Sequence, residues 1–233
     1  MTRKKLLISM HIPKTGGTSL LHEIRDGALG RYLLDYEDQP GSKRLSKRIH
    51  RISSAISSRV HQRKLLEEYD VIHGHFLASK YAFLYPKVNF MTFLREPVAR
   101  LLSGYFYMKY EVVKNPYSVK RNPRVLLLAN NQLTLVEYAR RPLSVHAYEK
   151  FIAGMPLDQF LLIGITERFS ESIAMLNKLL SCNLTTRHER SHNYKKYESE
   201  YLPWMKDLRA ANKENIRIYQ EAVNLFEKRL RTH

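Results

Sequence analysis

Basic, hydroxyl-bearing and glycine residues stand together near the start of the chain, in the stretch HIPKTGGTS at residues 11–19. Lys14 adds a positive charge, Thr18 and Ser19 add hydroxyl groups, and the glycines let backbone N–H groups come close to an anion. An apolar run at residues 6–10 precedes the stretch, and apolar residues with helical spacing follow it. Strand, turn and helix in this order can bind phosphate at the helix N-terminus. The stretch therefore predicts an anion-binding loop, with an ordinary strand-to-helix turn as the alternative.

The order of residues separates this loop from the Walker A phosphate loop. That motif is G-x-x-x-x-G-K-[ST], with the lysine after the last glycine and a hydroxyl group placed for Mg²⁺. Here Lys14 precedes Gly16 and Gly17. A nucleotide kinase that needs the Walker lysine is therefore disfavoured.

Two histidines follow a second apolar run, which predicts a strand at residues 70–72 and leads into His73-Gly74-His75. Side chains two residues apart on a strand point to the same face, so both imidazoles are expected at one pocket, with Gly74 leaving room for close approach. A histidine suits a general base at neutral pH, and a structural role is the alternative. Cys182 and the remaining histidines lack the spacing of zinc ligands, so no metal is expected.

A third candidate lies where the apolar run at residues 88–94 ends. Arg95 follows that run, and the helix predicted after it carries Ser103 two turns along. In an open parallel sheet, ligands bind beyond the carboxyl ends of the strands. We therefore expect Arg95 on the same rim as Lys14 and His75. Its alternative role is an ion pair at the end of the helix.

Periodicity predicts the elements that must position these residues. Residues 28–41 are polar and turn-rich, and Tyr105, Phe106 and Tyr107 are expected in the core. Helices are predicted over residues 18–26, 133–140 and 145–153, and residues 111–131 are expected to be irregular. A strand is predicted at residues 160–165, followed by a helix that Thr166 caps. The chain ends in a long predicted helix with a buried stripe of Ile216, Tyr219, Val223, Phe226 and Leu230. We see no repeat and no linker. The pattern predicts an α/β protein with a P-loop-like parallel sheet flanked by helices, in a single domain of residues 1–233.

The composition favours an anionic partner. The formal net charge is +17, from 39 Lys and Arg against 22 Asp and Glu, and such a field attracts polyanions. Eight of the cations lie between Gln39 and Leu66, where there is no acid. They are on or beside a predicted helix that Ser42 caps and whose apolar positions are Leu45, Ile49, Ile52, Ile56 and Val60. A solvated helix face and a polyanion-binding surface are both compatible with this pattern. Cys182 is the single cysteine, which fits a reducing compartment, and no apolar run reaches the length of a membrane span.

Four segments, taken in order, resemble one family. PKTGGTS at residues 13–19, HGH at 73–75, FLREPVARLLS at 93–103 and LIGITE at 162–167 are similar to sequences of carbohydrate sulfotransferases that use 3′-phosphoadenosine-5′-phosphosulfate (PAPS). The resemblance is nearest to the heparan sulfate and dermatan or chondroitin sulfate 2-O-sulfotransferases. It spans most of the chain and implies the sulfotransferase fold, whereas residues 28–66 and 111–158 match nothing in it.

The resemblance implies a role for each matched residue. His75 would be the general base, with His73 assisting. The cofactor PAPS would be held at its 5′-phosphate by Thr15, Gly16, Gly17, Thr18 and Ser19, at the bridging oxygen and sulfate by Lys14, and at its 3′-phosphate by Arg95 and Ser103. The loop around Arg190, Ser191 and His192 would close over the cofactor.

The implied activity is sulfuryl transfer from PAPS to a hydroxyl group of an acidic glycan, without a metal. The animal relatives carry a membrane anchor and disulfides that this chain lacks, which suggests a soluble, cytoplasmic, bacterial enzyme. No transmembrane segment is expected, and peripheral contact with a membrane is compatible with this expectation. Alternatives are a sulfotransferase acting on a protein, lipid or small-molecule hydroxyl, and a basic protein that binds nucleic acid or another polyanion. No nucleic-acid partner is expected for the enzyme.

Overall fold

Short parallel strands form a sheet at the centre of the described chain. The computed structural model describes residues 5–26, 29–38, 45–122, 124–186 and 194–232. The strands are β1 Leu7–Met10, β2 Tyr32–Asp35, β3 Val71–Gly74, β4 Asn89–Leu94 and β5 Leu162–Ile165, in the spatial order β2-β3-β1-β4-β5. Each neighbouring pair is parallel. All five carboxyl ends therefore lie at one edge of the sheet, and the predicted α/β class is confirmed.

Helices cover both faces of this sheet. In the described residues they are α1 Gly17–Asp26, α2 Leu45–Val60, α3 Gln62–Glu68, α4 Pro97–Tyr110, α5 Pro116–Arg121, α6 Arg124–Ala129, α7 Leu135–Ala139, α8 Pro142–Val145, α9 Ala147–Ile152, α10 Phe169–Leu180, α11 Glu198–Tyr201, α12 Met205–Ala211 and α13 Lys213–Thr232. None of the helices described is long and apolar enough to cross a membrane.

The strands β1, β3, β4 and β5 are buried on both sides, which explains why they form nearly continuous apolar runs in the sequence. Their alternate residues pack into two separate apolar clusters. Ile8 packs with residues of α9 on one face, and Leu7 packs with residues of α1 and α10 on the other. The helix α13 contributes Ile218 to the first cluster and Phe226 to the second. This helix therefore closes the sheet at β5.

Two expectations about loops are wrong. The region over residues 28–41 contains β2, an edge strand whose alternate residues Tyr32 and Leu34 are exposed. Because half of β2 faces solvent, it lacks the apolar run by which the other strands are recognised. The region over residues 111–131 contains the short helices α5 and α6, each only six residues long. The proposed cap Ser42 lies outside the described residues.

The long C-terminal helix is confirmed, but its buried face is rotated from the predicted one. Its fully buried residues are Asn215, Ile218, Ala222 and Phe226, whereas Ile216, Tyr219, Val223 and Leu230 are half-buried. The Asn215 amide explains the shift, because its oxygen accepts a hydrogen bond from the Tyr148 N–H at 3.1 Å and its nitrogen donates to the Ser144 carbonyl at 2.7 Å. A polar residue whose bonding groups are satisfied can occupy the core.

Candidate functional site

The carboxyl edge of the sheet carries one polar side chain from the end of every strand. Along the sheet they are Tyr36 after β2, His75 after β3, His11 after β1, Arg95 after β4 and Thr166 after β5. Parallel pairing continues one residue beyond β1, where the His11 N–H donates to the Gly74 carbonyl at 2.7 Å. The predicted rim is therefore present, and it includes His11 and Tyr36, which the sequence analysis did not select.

The loop after β1 has an unusual backbone conformation. Lys14 has φ 71° and Gly16 has φ 87°, both in the left-handed region. A lysine in that region is held at a cost that the surrounding structure must offset. The Thr15 hydroxyl donates to the Ile12 carbonyl at 2.8 Å, and Thr15 is 1% exposed. Thr15 therefore stabilises the loop from inside.

Thr166 ties this loop to the next strand. Its hydroxyl oxygen lies 2.8 Å from the Thr15 carbonyl oxygen and 2.9 Å from that of Leu94, so its proton is shared between them. The prediction that Thr166 caps a helix is wrong, because α10 begins only at Phe169 and has no side-chain cap. The hydroxyl group instead joins the loop to the end of β4.

The loop ends at the N-terminus of α1. Helix N–H groups in the first turn have no partner within the helix, and the helix dipole is positive there. No acidic residue occupies this first turn, where Thr18 is exposed and Ser19 is half-buried. A Cβ atom at Gly17 would lie 1.9 Å from the His11 ring, so only glycine lets the ring pack on the loop. The loop thus offers donors and positive potential to an anion.

Lys14 and Arg95 bring positive charge to the same place. The Lys14 ammonium lies 3.9 Å from the centre of the Tyr107 ring, and burial together with the nearby Arg95 lowers the pKa of Lys14 to about 8. The Arg95 guanidinium donates weakly to the Lys14 carbonyl at 3.5 Å. It also lies 3.9 Å from Glu167, which is the ion pair considered as its alternative role. An anion bound at this loop would relieve the repulsion between the two cations.

The helix α4 passes close to this loop. A Cβ atom at Gly104 would stand 3.7 Å from the Lys14 side chain. Tyr105 and Phe106 are buried as predicted, but Tyr107 is 42% exposed and lies under Lys14, so its assignment to the core is wrong. Ser103 is 1% exposed, and its contact with a nucleotide stays a prediction.

The histidines form a cluster of three. His75 Nε2 lies 3.1 Å from His11 Nδ1, which is also 3.2 Å from the Tyr36 hydroxyl group. The His11 ring centre lies 4.4 Å from that of His75 and 5.4 Å from that of His73. His73 Nδ1 lies 2.8 Å from Ser9 Oγ, and its Nε2 is buried with no hydrogen-bond partner among the described residues. The strand spacing predicted the first pair, but only the sheet order adds His11.

Glycine is required at position 74 for a different reason from the one expected. A Cβ atom there would lie 1.8 Å from the Asp35 carbonyl oxygen of the neighbouring strand β2. The close approach that glycine permits is therefore that of a backbone, and it keeps β2 and Tyr36 against the histidines.

Burial keeps the cluster uncharged at neutral pH. Desolvation lowers the pKa of His73 to about 3, with further contributions from His75 and Arg25, and it lowers the pKa of His75 to about 4. The pKa of His11 is also well below its usual range, first because of burial and then because of its two histidine neighbours. A neutral imidazole retains a nitrogen that accepts a proton.

Within the described ranges, no group of three or more His, Cys, Asp or Glu side chains is arranged to hold a metal ion. Within the histidine cluster, His75 Nε2 and His11 Nδ1 contact each other, His11 Nδ1 also contacts Tyr36, and His73 Nδ1 contacts Ser9. The predicted closing loop around Arg190, Ser191 and His192 lies outside the described residues.

Comparison with protein-family models gives no match, and comparison with curated proteins gives none. Among solved structures, the chain is similar to mouse sulfotransferase SULT7A1 complexed with PAP, with 12% identity, 95% of this chain and 89% of that chain covered, and a TM-score of 0.48. It is also similar to a sulfotransferase from Alicyclobacillus acidocaldarius, with 14% identity, 90% and 96% coverage, and a TM-score of 0.37. Both TM-scores are below 0.5, so neither similarity bears on the activity of this chain.

The histidine cluster predicts how stability depends on pH. The unfolded chain takes up protons on histidine below about pH 6.5, whereas folded His73 does so only near pH 3. Folding stability is therefore lost as the pH falls between these values, by about 1.4 kcal/mol per pH unit for each such histidine. His73→Gln should make the free energy of unfolding depend less steeply on pH by that amount. Urea unfolding from pH 7.5 to 4.5 measures it, with exposed His61→Gln as the control. An unchanged slope would contradict a buried, neutral His73.

Proposed function

We propose that this protein is a PAPS-dependent sulfotransferase, with residues 1–233 as one domain. The observation that carries the proposal is the meeting of Lys14, Arg95 and His75 at one edge of the sheet, beside the N-terminus of α1. Two cations there suit an anionic donor, and a neutral imidazole suits the removal of a proton from a hydroxyl group. The resemblance of the sequence segments supplies the identity of the donor.

The residues of the loop fit the phosphosulfate end of PAPS. Backbone N–H groups of the first turn of α1 and the hydroxyl groups of Thr18 and Ser19 would bind the 5′-phosphate. Gly16 and Gly17 complete that loop, which Thr15 holds in shape through the Ile12 carbonyl. Lys14 would neutralise charge that develops on the bridging oxygen. With a pKa of about 8, this lysine is mostly protonated at pH 7, and a bound anion would raise that pKa.

Arg95 is assigned to the 3′-phosphate, together with Ser103 on α4. The guanidinium lies beside the loop yet is not part of it, since it comes from the end of β4. Its 3.9 Å separation from Glu167 leaves a loose ion pair, from which a phosphate with two negative charges could displace the carboxylate. Phosphate recognition by Arg95 would then separate PAPS from nucleotides that lack the 3′ group.

PAPS supplies an activated sulfuryl group, which passes to the acceptor as the S–O bond to the 5′-phosphate breaks and a new S–O bond forms. His75 accepts the proton of the acceptor hydroxyl group. His11 Nδ1 lies 3.1 Å from His75 Nε2, so His11 can share the resulting positive charge, and the Tyr36 hydroxyl group contacts the same His11 nitrogen at 3.2 Å. His73 is fully buried, so it assists by supporting the cluster through Ser9.

We propose an acidic glycan as the acceptor. The net charge of +17 exceeds what a nucleotide donor requires, and the resembling sulfotransferases act on glycans that contain uronic acids. On α2, Lys47 and Arg51 are half-buried and Arg48 and Arg59 are exposed, whereas Arg44 lies outside the described residues. Two exposed cations are fewer than the eight of the predicted basic segment, so the glycan proposal rests on the overall charge and on the resemblance.

The donor site predicts selective loss on substitution of Arg95. Arg95→Ala should weaken binding of adenosine 3′,5′-bisphosphate by roughly 10- to 100-fold, because one charge-assisted phosphate contact is lost, and should change binding of adenosine 5′-phosphosulfate little. Calorimetry with both nucleotides measures this, and exposed Arg140→Ala is the control.

Equal loss of affinity for both nucleotides would show that Arg95 does not bind the 3′-phosphate.

The same nucleotides, compared with ATP and Mg²⁺, test the identity of the donor by thermal shift. At 100 times its dissociation constant a ligand adds about 2.7 kcal/mol of stability. Stabilisation by ATP with Mg²⁺ alone would reject the sulfotransferase, and no response to any nucleotide would favour a basic polyanion-binding protein.

The base predicts a loss of turnover without a loss of donor affinity. His75→Ala should lower kcat by roughly 10²–10⁴-fold, the usual span for a general base, and leave PAPS affinity nearly unchanged, since His75 lies outside the loop. His73→Ala should cost less, and exposed His146→Ala serves as the control. Near-normal turnover in His75→Ala would assign the proton to another residue.

The acceptor is tested by a screen with PAPS carrying a radiolabelled sulfuryl group. The panel contains acidic polysaccharides, neutral glycans, tyrosine peptides, hydroxylated lipids and phenols. We expect transfer to acidic polysaccharides, because their charge is complementary to that of the protein. Transfer confined to any of the other classes would contradict the glycan and leave the donor assignment intact.

A further inference from the structure

The helix α2 has its apolar residues on the outside. Leu45, Ile49, Ile52, Ile56 and Val60 follow one another at intervals of four, three, four and four residues, which places them in one stripe. Their side chains are 57–72% exposed. At 1.5 Å per residue the stripe is about 22 Å long. An amphipathic helix of a globular protein normally turns this face to the core.

The opposite, polar face of α2 contacts the protein. Ser58 is its one buried residue, and the half-buried Arg51 donates to the Asp38 carbonyl at 3.3 Å. His50 Nε2 lies 3.9 Å from the Asp38 carboxylate. At the C-terminal end of α2, Arg59 lies beside the stripe rather than opposite it, and its guanidinium lies 4.9 Å from the Phe83 ring. Contacts with Asp38 near the middle of α2 and with Phe83 near its C-terminal end thus hold the helix with its apolar stripe outward.

The stripe is bordered by positive charge. The helix contains no acidic residue, and Arg48 and Arg59 are both exposed. At 100° per residue, both arginines lie on the same side of the stripe. Farther on, Arg63 and Lys64 of α3 pair with Glu67 and Glu68, so they contribute little net charge. The exposed cations that would meet a partner of α2 are therefore Arg48 and Arg59, the second of which also lies over the Phe83 ring.

Apolar side chains beside arginines select the partner. A second copy of the chain would bring its own arginines and a net charge of +17 against the first. An acidic glycan would pair with the arginines but leave five aliphatic side chains in water. An anionic bilayer offers negative headgroups to the cations and acyl chains to the stripe, the arrangement that interfacial helices adopt.

We propose that α2 docks this protein on the surface of an anionic lipid bilayer, with the stripe lying at the boundary between headgroups and acyl chains. The docking helix is anchored close to the candidate site, because Asp38, which binds Arg51, lies two residues after Tyr36 of the histidine cluster. The proposal does not depend on sulfuryl transfer, since it rests on the exposure and charge of α2.

Vesicle binding of the full chain tests the proposal. Flotation with vesicles of phosphatidylcholine alone and of equal parts phosphatidylcholine and phosphatidylglycerol measures the partition coefficient. The wild type should favour the anionic vesicles by roughly 10-fold or more, as expected for two arginines near a charged surface. Ile52→Asp with Ile56→Asp should lower that partition by roughly 100-fold, because each buried isoleucine is worth about 10-fold or more.

A matched double variant controls for added charge. The control, Leu126→Asp with Leu202→Asp, replaces two exposed leucines outside α2 by aspartate, as the first variant does with two exposed isoleucines of the stripe. It should bind the anionic vesicles nearly as the wild type does. All four substitutions are at exposed positions, and thermal unfolding checks that both proteins remain folded.

Four outcomes would overturn the proposal. The first is that the wild type does not bind anionic vesicles, and the second is that the two double variants partition equally. The third is that the wild type binds no vesicles but forms a dimer, which Ile52→Asp with Ile56→Asp dissociates. The fourth is that the wild type binds no vesicles but is retained on heparin in a way that depends on the stripe. The third would assign the stripe to a second copy, and the fourth would assign it to a glycan.

The fluorescence of a tryptophan on the stripe gives an independent readout of docking. Trp204 is the single tryptophan, so Ile52→Trp with Trp204→Phe reports on the stripe alone. Its emission should shift to shorter wavelength with anionic vesicles and be quenched by brominated acyl chains. Ser57→Trp in the same background lies away from the stripe and should respond less. Emission from the Ile52→Trp protein that ignores anionic vesicles would contradict the docking.

Discussion

Parallel hydrogen bonding between five short strands is the constraint on which the candidate site depends. Because the strands run in one direction, their carboxyl ends meet at one edge, and residues far apart in the chain become neighbours. The pairing extends past β1 through the His11 N–H and the Gly74 carbonyl. At Gly74 the backbone of β2 comes too close for any side chain. The Thr166 hydroxyl then joins the loop after β1 to the end of β4. The loop is thus held from several strands.

The edge of the sheet is divided electrostatically. On one side of the loop, Lys14 and Arg95 concentrate positive charge, and their mutual repulsion lowers the pKa of the lysine further than burial alone would. On the other side, desolvation keeps His73, His75 and His11 neutral. A site with fixed cations beside neutral proton acceptors is suited to an anionic donor and a hydroxyl acceptor. If the histidines were protonated instead, they could not accept the proton of the acceptor hydroxyl group.

The same edge is linked to α2 through one short segment. After β2 the chain places Tyr36 against His11 and then Asp38 against Arg51 of α2. Asp38 is also bound by Lys80 at 2.9 Å, which pairs with Asp35 at 2.6 Å, so a buried ion-pair group fixes the segment. The position of α2 and that of the histidine cluster are therefore set by the same residues.

Local sequence was sufficient for the elements that are buried on both sides. The strands β1, β3, β4 and β5 are apolar runs, and the loop of Lys14, the pair His73 and His75, and Arg95 could be selected because each follows such a run. The sequence alone therefore determined the α/β class and most of the candidate residues. The edge strand β2 was missed, because one of its faces is in solvent and its pattern is weak.

Only the tertiary structure decided what depends on long-range packing. The membership of His11 and Tyr36 in the cluster follows from the strand order, which no local pattern encodes. The roles of Thr166 and Asn215 follow from partners far away in the chain. For α2, periodicity predicted an apolar stripe but not the face that meets the protein, and the polar contacts with Asp38 turned the stripe outward. A sequence specifies which side chains share a face, whereas the neighbours that the fold supplies determine whether that face is buried.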